Sequence, residues 1–301
     1  MNSSLDQVVL NFDKGSLLLL NLCIAFIMFG VALELKLAHF RLLFRTPKPI
    51  FVGLFSQLLL LPLATFGLIH IINPIPSIAL GMMLVASCPG GNVSNFYVAM
   101  SKGNVALSVS LTAFSSVMSV LFTPVSFTLW SKAYAPTADM LHSIDMDVWD
   151  MVIKIIWVLV IPLIVGMTFG EKLPELTKKI SKPIKKLSIL IFTSFVVLAL
   201  KKNFDHFLAH ISAILLLVFL HNALGLISGF GLSTLARLSS PDRRAVTIET
   251  GIQNVSVALV IIFDFFDGLG GMAFIAAWWG VWHLIAGGFL SYLWSKKTIV
   301  P

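Results

Sequence analysis

The sequence predicts an all-α polytopic membrane protein, and three observations lead to this fold class. First, 57% of the 301 residues are hydrophobic and 12% are charged, with a mean hydropathy of +0.94. A soluble domain has about a quarter charged residues, so this chain has too little polar surface to face water on all sides. Second, apolar runs recur along the chain at membrane-spanning length. Third, lysine and arginine concentrate in alternate breaks between these runs.

Nine apolar runs are predicted to be transmembrane helices, because about 20 apolar residues cross the hydrocarbon core as a helix. In chain order, the predicted spans cover about residues 15–34, 50–72, 77–100, 104–130, 149–169, 184–200, 207–232, 245–265 and 269–294. The sixth is short, and the paired lysines at both of its ends are predicted to snorkel outward and complete it. The N-terminus lacks the basic start of a signal peptide, so the first run is expected to be a retained span.

The charges predict how the spans are oriented. Most of the 21 lysines and arginines follow spans 1, 3, 5 and 7 or lie at the C-terminus, whereas aspartates favour the other side. By the positive-inside rule, the N-terminus is outside and the C-terminus is cytoplasmic, in the inner (plasma) membrane. This bias accounts for the net charge of +7. No nucleic-acid partner is therefore predicted, and no obligatory protein partner is evident.

Glu249 is the one acidic residue predicted to lie well within an apolar run. A charge at mid-bilayer costs about 2.5–3.5 kcal/mol even on the lenient insertion scale, and intramembrane carboxylates are by default functional. The polar neighbours of Glu249 in TIETGIQNVSVAL (247–259), together with Gly251, indicate a segment that leaves the helix and lines a cavity. The alternative is a glutamate near the cytoplasmic end that is paired with Arg243 or Arg244.

The third span is predicted to be interrupted as well, within SCPGGNVSN (87–95). Pro89 removes a helical hydrogen bond, and the two glycines after it tolerate unusual dihedral angles. Alone, this segment could be a harmless proline kink. However, spans 3 and 8 are the middle members of two triplets, spans 2–4 and 7–9, that begin on opposite sides. Two interrupted helices at matching places in an inverted repeat indicate the site of a secondary transporter.

The polar side chains near the two breaks favour a hard cation such as sodium, because all of them would bind through oxygen. Glu249 offers a negative charge. Neutral oxygens are offered by Gln57, Ser94, Asn95, Ser108, Thr112 and Gln253. Ser108 and Thr112 lie one turn apart on one helix face, although hydroxyls at this spacing also bond back to the main chain.

The chain resembles the bile acid:sodium symporter family over about residues 25–290, in the segments FGVALELK, CPGGNVSN, GNVALSVSLTAFSS, HN (221–222), ETGIQN and VWH (281–283). The resemblance implies an alternating-access symporter that forms a single transmembrane unit over residues 1–301. Its panel domain would comprise spans 1, 5 and 6, at about 15–34 and 149–200. Its core domain would comprise spans 2–4 and 7–9, at about 50–130 and 207–294, with spans 3 and 8 unwound where they cross.

The resemblance also implies two co-transported sodium ions and one organic anion. The first ion would contact Ser94, Asn95, Ser108, Thr112 and Glu249. The second would contact Gln57, Glu249, Gln253 and the backbone carbonyls of Thr250 and Ile252. The anion, bile-acid-like or a small carboxylate such as pantoate, would bind beside the crossing at Asn92, Asn254 and His283. His283 has the alternative of a satisfied interhelical histidine, and His221–Asn222 is interpreted as structural.

Two other functions are compared with the sodium symporter. In a proton-coupled transporter or exporter of organic anions, Glu249 would titrate instead of binding sodium. An intramembrane enzyme would need two facing aspartates, a G-x-S-x-G-like serine with a histidine, or an HExxH motif. The sequence has none of these, and Asp264 and Asp267 are assigned to an outer loop. No enzymatic activity is therefore predicted.

Overall fold

The computed structural model describes residue 6 and residues 14–33, 35, 46–91, 93–143, 147–202 and 204–296. Most of these residues are helical, and the described residues contain no β-strand beyond one isolated antiparallel bridge. The helices, in chain order, are α1 (Lys14–Ala32), α2 (Pro47–Ile72), α3 (Pro76–Ser87), α4 (Val93–Met100), α5 (Val105–Ala133), α6 (Ala135–Ser143), α7 (Val148–Lys172), α8 (Pro174–Lys202), α9 (Phe204–Leu235), α10 (Ser240–Gly251), α11 (Val255–Phe265) and α12 (Gly270–Ser295). The predicted all-α class is confirmed.

Five helices are long and apolar enough to cross a membrane: α2, α5, α7, the part of α9 from Ile211 to Leu235, and α12. Shorter apolar helices include α3 and α11. The chain is therefore a multi-pass membrane protein. Each of the nine predicted spans coincides with a helix or a pair of helices, but their number as membrane spans stays a prediction.

Two long helices widen locally into a π-helical turn, α2 at Ser56–Leu60 and α7 at Ile156–Val160. Each turn is followed by a proline, Pro62 or Pro162, near the start of the next α-helical stretch. Because proline has no N–H to bond four residues back, the helix loses a hydrogen bond there, and a π turn absorbs the irregularity.

The predicted boundaries of spans 6 and 8 differ from the observed ones. Helix α8 begins at Pro174, not near 184. Its first half is rich in lysine, so hydropathy alone does not predict it to be part of a membrane helix. Helix α10 begins at Ser240, not 245, because the Ser239 hydroxyl caps its first turn by accepting from the Asp242 N–H. Both helices therefore begin with polar residues, and a prediction that is based on apolar runs places their start too late in the sequence.

The shortest apolar helices are the most buried ones. Every residue of α3 after Pro76 is buried, as is every residue of α11 from Val255 to Phe263. By contrast, the long helices expose large apolar side chains on one side, such as Leu121 on α5 and Trp157 on α7. The long helices therefore form an outer, lipid-facing layer, and α3 and α11 form a buried inner pair. Helix α3 ends at the first break, and α11 begins at the second.

Asp264 lies in the last turn of α11, and its assignment to an outer loop is wrong. Its carboxylate is 2.6 Å from the Lys154 ammonium of α7 and accepts a hydrogen bond of 3.3 Å from the Asn21 amide of α1. The Asp264 carboxylate is tolerated at this partly buried position because an ammonium group and an amide group from two neighbouring helices bind it.

Candidate functional site

The break between α3 and α4 pairs with the break between α10 and α11. The Gly91 N–H donates to the Ile252 carbonyl at 2.8 Å, and the Asn254 N–H donates to the Pro89 carbonyl at 2.8 Å. Main-chain N–H and C=O groups at helix ends have no partner within the helix, and the hydrocarbon core of a bilayer provides no hydrogen-bond partner for them. The two breaks therefore satisfy each other's freed groups, and both predicted interruptions are present.

The glycines after Pro89 allow other groups to approach the first break closely. A Cβ atom on Gly90 would lie 2.6 Å from Glu249 Oε1 and 2.9 Å from Gln57 Nε2. A Cβ atom on Gly91 would lie 2.7 Å from the Gln253 carbonyl oxygen. Any larger residue at either position would have to displace these polar groups.

Glu249 is 1% exposed, and three hydroxyls surround its carboxylate. Ser94 Oγ donates to Oε2 at 2.6 Å and Ser108 Oγ donates to the same oxygen at 2.9 Å. Thr112 Oγ1 donates to Oε1. Hydrogen bonds to an ionised group are the stronger kind, so the hydroxyls of α4 and α5 stabilise the buried charge.

The alternative of a pair between Glu249 and a nearby arginine is not supported. The Arg244 guanidinium donates to the carbonyl oxygens of Ser101 and Trp294, the second at 3.2 Å. Arg243 contacts the Thr234 hydroxyl at 3.5 Å and stacks over Phe230. Among the described residues, neither of the salt bridges involves Glu249.

The five side chains predicted to bind a first ion lie together. Asn95 completes the group, since its Oδ1 lies 2.8 Å from Ser108 Oγ and 3.5 Å from Thr112 Oγ1. Thr112 Oγ1 also lies 3.1 Å from the Ser108 carbonyl one turn back in its own helix, and its single hydrogen can be donated either to this carbonyl or to the cluster. Within the described part of the chain, no three His, Cys, Asp or Glu residues form a group suited to a metal.

The residues predicted for a second ion lie around the end of α10. Gln253 Nε2 donates to the Thr250 carbonyl at 2.8 Å, and the Ile252 carbonyl accepts from the other break. Gln57 is fully buried beside Glu249 and Gly90. Neither polar atom of the Gln57 side chain has a hydrogen-bond partner among the described residues, and the same holds for Gln253 Oε1.

The structure describes two of the three predicted substrate residues. Asn92 lies outside the described residues. Asn254 is buried, and its Nδ2 lies 3.6 Å from Met28 Sδ of α1. His283 is buried in α12, and its Nδ1 has no partner in the described part of the chain, so the alternative of a satisfied interhelical histidine lacks support at that nitrogen.

Three residues that the sequence analysis did not assign to the site also contact the breaks. Ser115 Oγ accepts from the Gly90 N–H at 3.2 Å, Ser56 Oγ accepts from Thr250 Oγ1 at 3.0 Å, and Asn222 Nδ2 donates to the Gly251 carbonyl at 2.7 Å. Ser115 continues the helix face of Ser108 and Thr112, a signal that the sequence carried. His221–Asn222 was interpreted as structural, and the contact of Asn222 with the end of α10 could not be predicted from the sequence, since only the fold places it there.

Comparison with known proteins identifies the family. The sodium bile acid symporter family matches this chain over residues 21–210. The chain belongs to this family. The match includes Gln57, the first break and α5, and it ends before Glu249. The resemblance found in the sequence is confirmed.

Two of the relatives have names that describe sodium-dependent transport. The chain is 29% identical over 272 residues to an uncharacterized sodium-dependent transporter, YocS, of Bacillus subtilis, covering 90% of this chain and 81% of the relative. It is 27% identical to a probable chloroplastic sodium/metabolite cotransporter, BASS1, of Arabidopsis thaliana, of which it spans 65%. It is 29% identical to the human P3 protein, of which it spans 54%. This member of the sodium bile acid symporter family is therefore a sodium-dependent transporter and not an enzyme.

Proposed function

We propose that this chain is a sodium-coupled symporter of an organic anion that works by alternating access. The observation that carries the proposal is the convergence of three hydroxyls on the buried carboxylate of Glu249, beside two paired helix breaks. A single carboxylate among neutral oxygens is a ligand set that suits a hard cation. When sodium binds, each hydroxyl hydrogen would rotate away, and the oxygen lone pairs would turn toward the ion.

Two cation sites share Glu249 in this proposal. The first site consists of the side chains of Ser94, Asn95, Ser108, Thr112 and Glu249. The second site consists of the side chains of Gln57, Glu249 and Gln253 and the carbonyls of Thr250 and Ile252. The Thr250 and Ile252 carbonyls each accept one hydrogen bond and keep a second lone pair for an ion. One carboxylate would thus offset part of the charge of both ions.

The proposed architecture has nine spans, with an inverted repeat in the core. The panel consists of α1, α7 and α8, and the core of α2–α5 and α9–α12. Close packing within the panel supports this division: a Cβ on Gly166 of α7 would lie 2.7 Å from the Phe29 carbonyl of α1, and one on Gly30 would lie 2.5 Å from Ile184 of α8. By the positive-inside rule, the N-terminus is outside and the C-terminus cytoplasmic in the plasma membrane.

The organic anion would bind between panel and core, at Asn92, Asn254 and His283. The contact of Asn254 with Met28 of α1 supports this position, because it lies where the two proposed domains meet. Helices α4 and α11 both begin directly after a break, and the positive ends of their dipoles favour a negative group nearby. A bile-acid-like anion and a small carboxylate such as pantoate are the two substrate classes to compare.

Thermal stability and uptake test the role of Glu249. Sodium should raise the Tm of the purified protein above its value in potassium at equal ionic strength, because a ligand that binds only the folded state stabilises it. Glu249→Gln keeps the shape of the side chain but removes its charge. We expect this variant to lose both the sodium-dependent rise and sodium-driven uptake of taurocholate or pantoate in proteoliposomes.

Glu175→Gln is the matched control, because Glu175 is an exposed glutamate whose ion pair joins only neighbouring turns of α8. It should keep the full sodium response. If sodium and potassium give the same Tm at every pH while the Tm follows pH and depends on Glu249, the proton-coupled alternative replaces the sodium symporter.

A further inference from the structure

The face of α9 that carries Asn222 is pressed against α10 along its length. Asn222, Gly225 and Gly229 lie at spacings of three and four residues, so they share one side of the helix. A Cβ on Gly225 would lie 3.2 Å from the Thr250 carbonyl oxygen, and one on Gly229 would lie 2.8 Å from the Thr247 Cα. Two glycines separated by three residues permit this backbone contact between membrane helices.

At the end of this contact, Asn222 binds the last residue of α10. Its Nδ2 donates to the Gly251 carbonyl at 2.7 Å, and the side chain is 1% exposed. The last carbonyls of a helix have no intrahelical partner. Here three successive carbonyls have three different donors: Gln253 Nε2 for Thr250, Asn222 Nδ2 for Gly251, and the Gly91 N–H for Ile252.

The Gly251 carbonyl is placed between the two carbonyls assigned above to the second cation site. A peptide unit is planar, so a hydrogen bond that fixes the Gly251 carbonyl also fixes the Cα atoms of Gly251 and Ile252, from which the peptide units on either side extend. Asn222 Oδ1 has no partner among the described residues, as is also true of the amide oxygens of Gln57 and Gln253. Three carboxamides on different segments therefore lie near the end of α10, each with an oxygen that accepts no hydrogen bond from the described residues.

We propose that Asn222 is a positioning residue of the second cation site. Its amide nitrogen holds the end of α10 so that the Thr250 and Ile252 carbonyls are aimed at the ion. This inference rests on the proposed function, because it needs a second cation at that place. Among the described residues, none of the hydrogen bonds around the Glu249 carboxylate involves Asn222, so its direct effect is expected on the carbonyls of the second site.

The test compares Asn222→Leu with Thr65→Val in detergent and in proteoliposomes. Thr65 Oγ1 and His221 Nε2 form a buried hydrogen bond of 2.8 Å between α2 and α9. His221 directly precedes Asn222 in the sequence, but none of the hydrogen bonds described above at the two breaks involves Thr65 or His221. Both variants lose one buried hydrogen bond and should lower the Tm in potassium. Only Asn222→Leu should raise the sodium concentration for half-maximal uptake, by about tenfold or more, and lower the Hill coefficient toward one.

Asn222→Ala provides a second variant, which removes the carboxamide without adding a charge or a larger side chain. It also loses the N–H that binds Gly251, so it should shift the sodium dependence as Asn222→Leu does. An unchanged sodium midpoint in Asn222→Ala, or in Asn222→Leu relative to Thr65→Val, would overturn the positioning role. Absence of any sodium response in the unmodified protein would instead overturn the proposed function, so the two failures are distinguishable.

Discussion

Glu249 is held in an apolar surrounding by hydroxyl groups and not by a counter-charge. Placing a carboxylate at mid-bilayer costs about 2.5–3.5 kcal/mol on the insertion scale. Hydrogen bonds to a charged group contribute roughly 1.5–3 kcal/mol each, so the three hydroxyls of Ser94, Ser108 and Thr112 are enough to offset that cost. An arginine at the same place would fix the carboxylate permanently, whereas hydroxyls leave it available to a mobile cation.

Gly90→Ala is expected to abolish the sodium-dependent rise in Tm. The new methyl group would lie 2.6 Å from Glu249 Oε1 and 2.9 Å from Gln57 Nε2, so it would displace groups of both proposed cation sites. The measurement is Tm in sodium and in potassium at equal ionic strength. Gly67→Ala is the matched control, because a Cβ on Gly67 of α2 meets nothing within 4 Å.

The control should keep the sodium response and unfold at the same or a slightly higher temperature, since alanine favours a helix over glycine by roughly 0.5–1 kcal/mol. A normal sodium response in Gly90→Ala would contradict the assignment of both sites to the space beside Gly90.

Among the helices, α5 supports the break that follows α3. Thr123 Oγ1 donates to the Ser87 carbonyl at 2.7 Å, and Ser115 Oγ accepts from the Gly90 N–H at 3.2 Å. Both hydroxyls are buried on the same helix as Ser108 and Thr112. One polar face of α5 therefore contacts the end of α3, the break itself and the Glu249 carboxylate in succession.

Thr123→Val is expected to lower the Tm without changing the sodium response. The substitution leaves the Ser87 carbonyl, at the end of α3, without its hydroxyl donor, and an unsatisfied buried group costs about 1–3 kcal/mol. Thr234→Val is the control, because the Thr234 hydroxyl is exposed and donates to the Phe230 carbonyl of its own helix, with Arg243 as a more distant contact at 3.5 Å. The Tm and the half-maximal sodium concentration of both variants provide the check. A changed sodium midpoint in Thr123→Val would mean that α5 acts on the cation sites along its whole length.

At the level of the whole molecule, one ion pair joins the two domains of the proposed architecture. Lys154 of α7 belongs to the panel and Asp264 of α11 belongs to the core, and their charged atoms are 2.6 Å apart. The side chains are partly buried, with 29% and 13% exposed. If panel and core move against each other during transport, this pair has to separate in each cycle.

Crosslinking α7 to α11 at this pair is expected to stop uptake. The variant carries Lys154→Cys and Asp264→Cys in a background with Cys23→Ser and Cys88→Ala, which removes both native thiols. A short bis-methanethiosulfonate should join the two cysteines, and sodium-driven uptake should be lost and then recovered on reduction. The sodium-dependent rise in Tm should persist, because the cation sites lie within the proposed core.

Each single-cysteine variant treated with the same reagent controls for labelling alone, and the untreated double variant controls for loss of the ion pair. Full uptake in the crosslinked protein would show that α7 and α11 do not separate, and alternating access between these two domains would be wrong.

The sequence by itself determined the helical membrane class, the two interruptions and the exceptional character of Glu249. These properties are local, because hydropathy, proline and glycine act through neighbouring residues of the chain. Helix boundaries failed where the ends are polar, as at Ser240, and Asp264 was misplaced because its partners come from other helices.

Only the tertiary structure decided which groups meet. Ser108 and Glu249 are 141 residues apart, and their hydrogen bond exists because the two breaks pair and bring α5 against α10. The contact of Asn222 with Gly251 likewise depends on how α9 packs along α10. A local pattern shows that a polar side chain has to be satisfied, but its partner is set by the packing of helices that are remote in sequence.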